Sequence, residues 1–394
     1  MHSINIYNAN IITPWRIIPR GSIVIAGDKI SSVHESDVEV GGATRIDAAG
    51  KYVAPGFIDL HVHGGGGHDF MDGGADAFVA IAETHARYGT TSLLPTTLSC
   101  EKDELFRTLE AYGKADQINT NGARFLGMHI EGPYFAMNQR GAQDARYIKP
   151  PDPQEYEAII SRFDYIRRWS AAPEIDGALA FAKYLLRKNI LPSLAHTDAI
   201  YEEVLRGYEA GYTLATHLYS GMSGVTRRNA YRYAGAVESA FLIDGMDVEI
   251  IADGRHLPAP LLKLIYKIKG PDKIALITDA MRGAGMPEGE SVLGSKNNGL
   301  KVIIEDGVAK LPDRTSFAGS VATADRLVRT MIKEAEVPLT DAVTMMTHTP
   351  ARILGVHGRK GALVAGRDAD IIMFDDSINI AMTMIMGKIV FQRK

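Results

Sequence analysis

The chain has 394 residues, 46% of them apolar and 23% charged, the composition of a globular protein with a large core. A net charge of −4 argues against a nucleic-acid or anionic-membrane surface, and no apolar run approaches the roughly 20 residues of a membrane span. A single cysteine, Cys100, excludes an intrachain disulfide and a thiolate zinc site, so any metal must be held by the twelve histidines and by carboxylates.

Met1 to Ile12 alternates polar and apolar residues, without the basic and apolar regions of an export signal, so the expected location is cytoplasmic. Ile4 to Tyr7 and Ser22 to Ile25 read as strands, with a turn at Gly27-Asp28. From about residue 56 to 350, apolar strand-like runs alternate with helical stretches. The helical candidates are Asp76 to Tyr88, Pro153 to Arg162, Ile175 to Lys188, Tyr201 to Ala210, Pro258 to Ile268 and Thr323 to Glu334. The C-terminal stretch turns strand-like again at Gly361 to Val364, Asp370 to Phe374 and Lys388 to Gln392. The expected class is α/β: a (β/α)8 TIM-type barrel over 55–354, and a small β-sandwich domain formed by both termini, 1–54 and 355–394. A doubly wound open sheet gives a similar alternation and stays open here.

Acidic and imidazole residues recur at the ends of the apolar runs. Phe57 to Leu60 leads into His61-Val62-His63, and Phe125 to His129 into Ile130-Glu131-Gly132-Pro133. Ile190 to Ala195 leads into His196, and Tyr212 to Thr216 into His217. Val248 to Ala252 leads into Asp253-Gly254-Arg255-His256, and Ile274 to Thr278 into Asp279. In a barrel the C-terminal strand ends form one face, where active sites sit. His61 and His63, two apart on a strand, point the same way and can grip one cation. Glu131, before Gly132-Pro133, is placed to bridge two cations. His196 and His217, one strand–helix unit apart, read as ligands from adjacent strands. Asp279 reads as a general base and acid beside bound water, or more plainly as a helix cap. Gly64 to Gly67 allow close backbone approach to the site. His2, His34, His85 and His357 read as ordinary, His68 as near the site, His129 as either a neighbour of the ligands or core, and His348 stays open.

Pro55-Gly56-Phe57-Ile58-Asp59-Leu60-His61-Val62-His63-Gly64 resembles the opening motif of the amidohydrolase superfamily. His129 to Pro133, Ala195 to Ala199, Thr216 to Tyr219, Ile251 to His256, Thr278 to Ala280, Phe317 to Ser320, Thr349 to Arg352 and Gly366 to Ile371 together resemble its N-acetylglucosamine-6-phosphate deacetylase branch. The resemblance implies one or two divalent cations, zinc or iron. Glu131, His196 and His217 would hold one; His61, His63 and Glu131, with Asp279, a second. It implies Asp279 as the proton carrier, Gln143 as an oxyanion donor and His256 as a contact to the sugar or the tetrahedral centre. Arg228, in a loop with Arg227 and Arg232, would meet the phosphate, in its own or a partner subunit's site of a homodimer. The chain departs from the branch at Ser220-Gly221, where Asn-Ala is usual and helps to hold the sugar phosphate. The implied substrate is a phosphorylated amino sugar, N-acetylglucosamine 6-phosphate or an epimer such as N-acetylgalactosamine 6-phosphate. An N-acyl-amino-acid deacylase and an inactive barrel serving as a binding module are the alternatives.

Overall fold

The computed structural model describes residues 3 to 393, so His2 lies outside the described residues. Its centre is a curled parallel sheet. Strands Phe57–Val62 and Thr90–Pro95 pair in parallel, and a bridge from Thr96 to His129 continues the series to Met128–Glu131. The order then runs through Ile166–Ala171, Leu191–Leu194, Leu214–Ala215, Asp247–Ile250 and Ile274–Leu276. A parallel bridge between Val62 and Ala280 brings the last strand's end against the first. Every residue of Phe57–Val62, Thr90–Pro95 and Met128–Glu131 is buried, as expected of parallel strands covered on both faces.

Helices alternate with these strands. Pro153–Arg162 starts where the sequence places it, because Asp152 accepts the Gln154 amide at 2.9 Å and Pro153 needs no hydrogen bond in the first turn. Tyr201–Ala210 ends at Gly211, and Ala75–Ala86, Ala178–Arg187, Ala259–Lys269 and Ala324–Lys333 fall inside or within a residue of their predicted spans. Helices Lys102–Ile118, Ala236–Leu242, Leu339–Met346 and His348–Ile353 are additional. So is an antiparallel sheet of Gly289–Leu293, Leu300–Glu305 and Val308–Lys310, inserted after the last parallel strand.

Both ends of the chain build one eight-stranded sheet. Its order is Lys388–Gln392, Ile380–Ile385, Ile371–Phe374, Tyr52–Pro55, Ser3–Ile12, Ile17–Ala26 and Lys29–His34, with Thr44–Asp47 beside Ser3–Ile12. Ile6, Ile11, Ile23, Val53, Ile371 and Met382 share its own apolar cluster. Gly361 to Val364 is not a strand. Gly361 turns there with φ +79°, and Ala362 and Leu363 are buried as apolar anchors without a strand partner. Among the described residues no helix is long and apolar enough to cross a membrane.

Candidate active site

The strand ends converge as the sequence suggested. His61 and His63 point to the same side, with their Nε2 atoms 3.1 Å apart. Asp279 Oδ1 lies 3.1 Å from His63 Nε2 and 3.4 Å from His61 Nε2. Glu131, the last residue of its strand, stands in the middle. Its Oε1 lies 3.0 Å from His217 Nε2, 3.4 Å from His196 Nε2 and 3.6 Å from His61 Nε2. Its Oε2 lies 3.4 Å from His63 Nε2. Two groups, His61 with His63 and Asp279, and His61 with Glu131 and His217, each offer three donor atoms within 4.8 Å of one another. His61 thus stands in both groups, whereas the sequence reading put His196 with Glu131 and His217.

The backbone makes this possible at a cost. His196, His217 and Asp279 have φ of +47°, +34° and +46°, a left-handed conformation that costs a non-glycine residue roughly 1–3 kcal/mol. Each turns the chain sharply as its strand ends. Beneath them Asp59 accepts Thr278 Oγ1 at 2.5 Å and the amides of Thr278 and His61 at 3.2 and 3.3 Å. It ties the strand of His61 to that of Asp279. Burial pushes its carboxyl up to about 7.

The tautomers are set from outside. His196 Nδ1 lies 2.7 Å from the Gln139 carbonyl, and His217 Nδ1 lies 3.1 Å from the Ser220 carbonyl. A carbonyl only accepts, so both Nδ1 atoms carry hydrogen and both Nε2 lone pairs face Glu131. Two lone pairs 3.0 Å apart repel unless a proton or a cation lies between them. Burial opposes charge on Glu131, yet His61, His196 and His217 hold its carboxyl well below the ordinary range. Burial likewise opposes charge on His63, but Asp279 and Glu131 raise it to about 10. The pocket is built to hold positive charge. Its buried imidazole and carboxylate donors, without thiolate, suit a divalent metal.

The remaining predicted residues separate into groups. Gln143 donates from Nε2 to Glu131 Oε2 at 2.9 Å and accepts the Ser99 amide at 2.8 Å, so it steadies the shared carboxylate. His256 Nδ1 meets Asp253 Oδ2 at 2.9 Å, which leaves its other nitrogen for the cavity it lines. Ser220 and Gly221 line the same cavity. Gly221 also has a packing role: at φ +57°, a Cβ there would stand 2.7 Å from His196 Nδ1 and 2.8 Å from the Gln139 carbonyl. We expect Gly221→Ala to displace His196 and lower bound metal per chain, with kcat/KM falling by about 10-fold or more. Metal analysis beside kinetics checks this; a variant with full metal and wild-type kinetics refutes it. Arg228 is not brought in. It lies on an exposed hairpin, Thr226–Arg228 with Tyr231–Tyr233, with its guanidinium 5.4 Å from the Tyr233 ring centre.

Three neighbours of the cluster take structural roles. Gly64 to Gly67 come close to the cluster at one end, where the Gly64 amide donates to the carbonyl of Ala280, next to Asp279, at 2.8 Å. They form a tight hairpin in which Gly64-Gly65 pairs with His68-Asp69, and Gly66 and Gly67 both take positive φ, as a two-residue turn requires. His85, read as ordinary, is buried and its Nε2 meets the Gly64 carbonyl at 2.9 Å. His129 is core, held between Ser170 Oγ at 2.6 Å and Thr96 Oγ1 at 3.2 Å.

A cavity of about 470 Å³ opens over the cluster, lined by His63, Glu131, His196, His217, His256 and Asp279 among others. A family model described as the amidohydrolase family matches residues 52–390. The chain belongs to the amidohydrolase family. An N-acetylglucosamine-6-phosphate deacetylase from Lysinibacillus sphaericus is 33% identical to this amidohydrolase over 351 residues, covering 88% of each chain. An N-acetylgalactosamine-6-phosphate deacetylase from Escherichia coli O157:H7 is 32% identical over 366 residues, covering 93% of each. A solved structure of a mutant N-acetyl-D-glucosamine-6-phosphate deacetylase from Mycobacterium smegmatis, in complex with N-acetyl-D-glucosamine-6-phosphate, matches with a TM-score of 0.91 at 27% identity, covering 100% of both chains.

Sequence reasoning missed part of this amidohydrolase's site. Lys310, Arg314, Thr315 and Ser316 line the cavity from the inserted antiparallel sheet and the loop after it. The Phe317-Ala318-Gly319-Ser320 motif was the one signal near them. Arg168 was missed as well. Fully buried, it reaches Glu249 Oε2 and Thr216 Oγ1 at 2.7 Å, Ser193 Oγ at 2.8 Å and the Leu60 carbonyl at 3.1 Å. It links the segments just before His61, His196 and His217.

Proposed function

We propose that the chain removes the acetyl group of an N-acetylhexosamine 6-phosphate, N-acetylglucosamine 6-phosphate first, giving acetate and the amino-sugar phosphate. The observation that carries the reading is the buried set of imidazole lone pairs aimed at one shared carboxylate, His217 Nε2 lying 3.0 Å from Glu131 Oε1 beneath a substrate-sized cavity. The deacetylase relatives support the substrate class.

In this reading Glu131, His61, His63, His196, His217 and Asp279 hold one or two divalent cations, zinc or iron. A cation there supplies Lewis acidity, lowering the pKa of water and polarising the amide carbonyl. Asp279 accepts the proton of the attacking water and returns it to the leaving amine. Burial opposes its charge, but His61 and His63 keep its carboxyl low, so it starts ionised. Gln143, one amide hydrogen on Glu131, turns the other to the oxyanion. His256, oriented by Asp253, contacts the sugar or the tetrahedral centre.

The same reading takes the curled sheet as a (β/α)8 barrel over 55–354, and the terminal sheet as a β-sandwich domain of 1–54 and 355–394. The enzyme acts in the cytoplasm as a homodimer, in which Arg228 serves its own or the partner's cavity. Ser220-Gly221 and the similarity to a galactosamine-type enzyme favour one second reading, the 4-epimer as substrate. Acetate release from N-acetylhexosamines, with and without the 6-phosphate, and from N-acyl amino acids tests both. We expect turnover of a phosphorylated N-acetylhexosamine. Turnover of N-acyl amino acids alone would reject the reading.

A further inference from the structure

We propose that Arg168 is a positioning residue for the strand-end cluster. With Glu249 it forms a buried polar floor that fixes where the strands deliver His61, Glu131, His196 and His217. The inference rests on the reading that this cluster holds a divalent cation, and adds to it the residues that set the geometry from below. Arg168 and Glu249 are both fully buried, and the bonds of the guanidinium go to neighbours of the ligands and not to the ligands' donor atoms.

Every guanidinium N–H of Arg168 has its own acceptor. Nε donates to Ser193 Oγ at 2.8 Å. One terminal nitrogen donates to Glu249 Oε1 and, at 3.1 Å, to the Leu60 carbonyl. The other donates to Glu249 Oε2 and Thr216 Oγ1, both at 2.7 Å. An ammonium group on a flexible stem has neither the donors nor the plane for this set, so the site calls for arginine. Glu249 is committed on its other side as well. Its carbonyl accepts the amide of Leu218, the residue after His217, at 2.8 Å.

The floor reaches the strand of each of these ligands just before the ligand itself. Leu60 precedes His61, Thr216 precedes His217, and Ser193 lies in the strand that leads to His196. Glu131 is reached by a relay. Ser193 Oγ lies 2.8 Å from Ser170 Oγ, which lies 2.6 Å from His129 Nε2, and His129 shares the strand of Glu131. The His129 ring meets the His61 ring edge-on, 4.8 Å between centres. Its Nδ1 lies 3.2 Å from Thr96 Oγ1, which accepts the amide of Val62, between His61 and His63, at 3.1 Å. The network thus touches every strand of the curled series from Phe57–Val62 to Asp247–Ile250, or the residue that follows it. Apolar side chains would fill the same space without the cost of burying two charges. What the polar floor adds is register: a strand displaced along its neighbour leaves a buried hydroxyl or N–H unpaired. His196 and His217 take their positive φ where the floor ends, so their Nε2 atoms meet Glu131 only in this register.

The test separates positioning from folding. Arg168→Met alone leaves the Glu249 carboxylate buried and unpaired, so it can fail to fold. Arg168→Met combined with Glu249→Leu replaces the pair by apolar groups, a change that often leaves a fold as stable as before. Thr216→Val removes a single contact of the floor. The measurements are cobalt(II) affinity by chelator competition, the visible absorption of the bound cobalt, thermal unfolding without metal, and kcat and KM for N-acetylhexosamine 6-phosphates. We expect the double variant to unfold cooperatively, to bind cobalt about 10–100-fold more weakly with an altered spectrum, and to lose kcat by a similar factor with KM little changed. T216V should shift affinity and spectrum in the same direction by less. A folded double variant with wild-type cobalt affinity and spectrum would overturn the inference. If the double variant does not fold, T216V decides, and wild-type affinity and spectrum there overturn it. If the variants bind cobalt normally while wild type deacetylates, this inference fails and the deacetylase reading stands. If they lose affinity while wild type hydrolyses no phosphorylated N-acetylhexosamine, the substrate reading fails and the positioning floor stands. No cobalt uptake by wild type overturns both.

Discussion

Glu131→Gln is expected to abolish metal retention and to lower kcat/KM by on the order of 10³–10⁴-fold, the several kcal/mol that a cation supplies to amide hydrolysis. The substitution keeps the volume and removes the charge. Glu131 is 2% exposed, and its two oxygens face four imidazoles and the Gln143 amide. His196 and His217 have their Nδ1 hydrogens committed to carbonyls, so a neutral amide cannot replace the negative centre between them. Both candidate cation groups suffer together because this one residue borders each. Metal content by plasma mass spectrometry, kcat/KM and thermal unfolding are the measurements. A folded E131Q that keeps its metal and works within a few-fold of wild type would sink the proposed role.

Asp279→Asn is the second large effect. Proton transfer by a positioned side chain contributes about 10²–10⁴-fold, and we expect kcat to fall by that much. Asp279 also touches His61 and His63, so a ligand role must be separated from a proton role. Added metal distinguishes them. A variant that has only lost a ligand recovers activity at saturating metal, whereas one that has lost its base does not. The acidic limb of the kcat–pH profile, which falls as Asp279 protonates, should also vanish. Full recovery with excess metal would leave Asp279 as a ligand alone.

What the sequence disclosed follows from periodicity. The spacing of His61 and His63 on a strand fixes their common direction, and the observed contact between them follows. Pro153–Arg162 and Tyr201–Ala210 were legible because a cap, a first-turn proline or a closing glycine marks their ends. Gly361 to Val364 misled because apolar residues in an extended run bury as readily in a loop as in a strand. The positive φ of His196, His217 and Asp279 was not legible, since nothing local asks a histidine or this aspartate to adopt it. Only the closing of the sheet imposes it. Gly221 read as a substrate contact, while its fit against His196 depends on a neighbour 25 positions away. Arg168 sits in a run of Ile166, Arg167 and Trp169 that gives no sign of which arginine is buried. Lys310 and Arg314 belong to an insertion outside the alternating pattern, and cations in surface-like turns carry no mark of the cavity they face.

The sheet shared by the two ends constrains how the molecule is made. Tyr52–Pro55 pairs with Ser3–Ile12 on one side and with Ile371–Phe374 on the other. The second partner leaves the ribosome long after the first. At about 5–20 residues per second, Tyr52–Pro55 waits roughly 15–60 s with one edge open. Through that interval the nascent chain presents an unpaired strand edge, a template for wrong partners. The catalytic strands begin two residues beyond it, at Phe57. Early binding of a chaperone to this N-terminal stretch would therefore guard the site's first candidate ligands, His61 and His63, before the rest of the cluster exists.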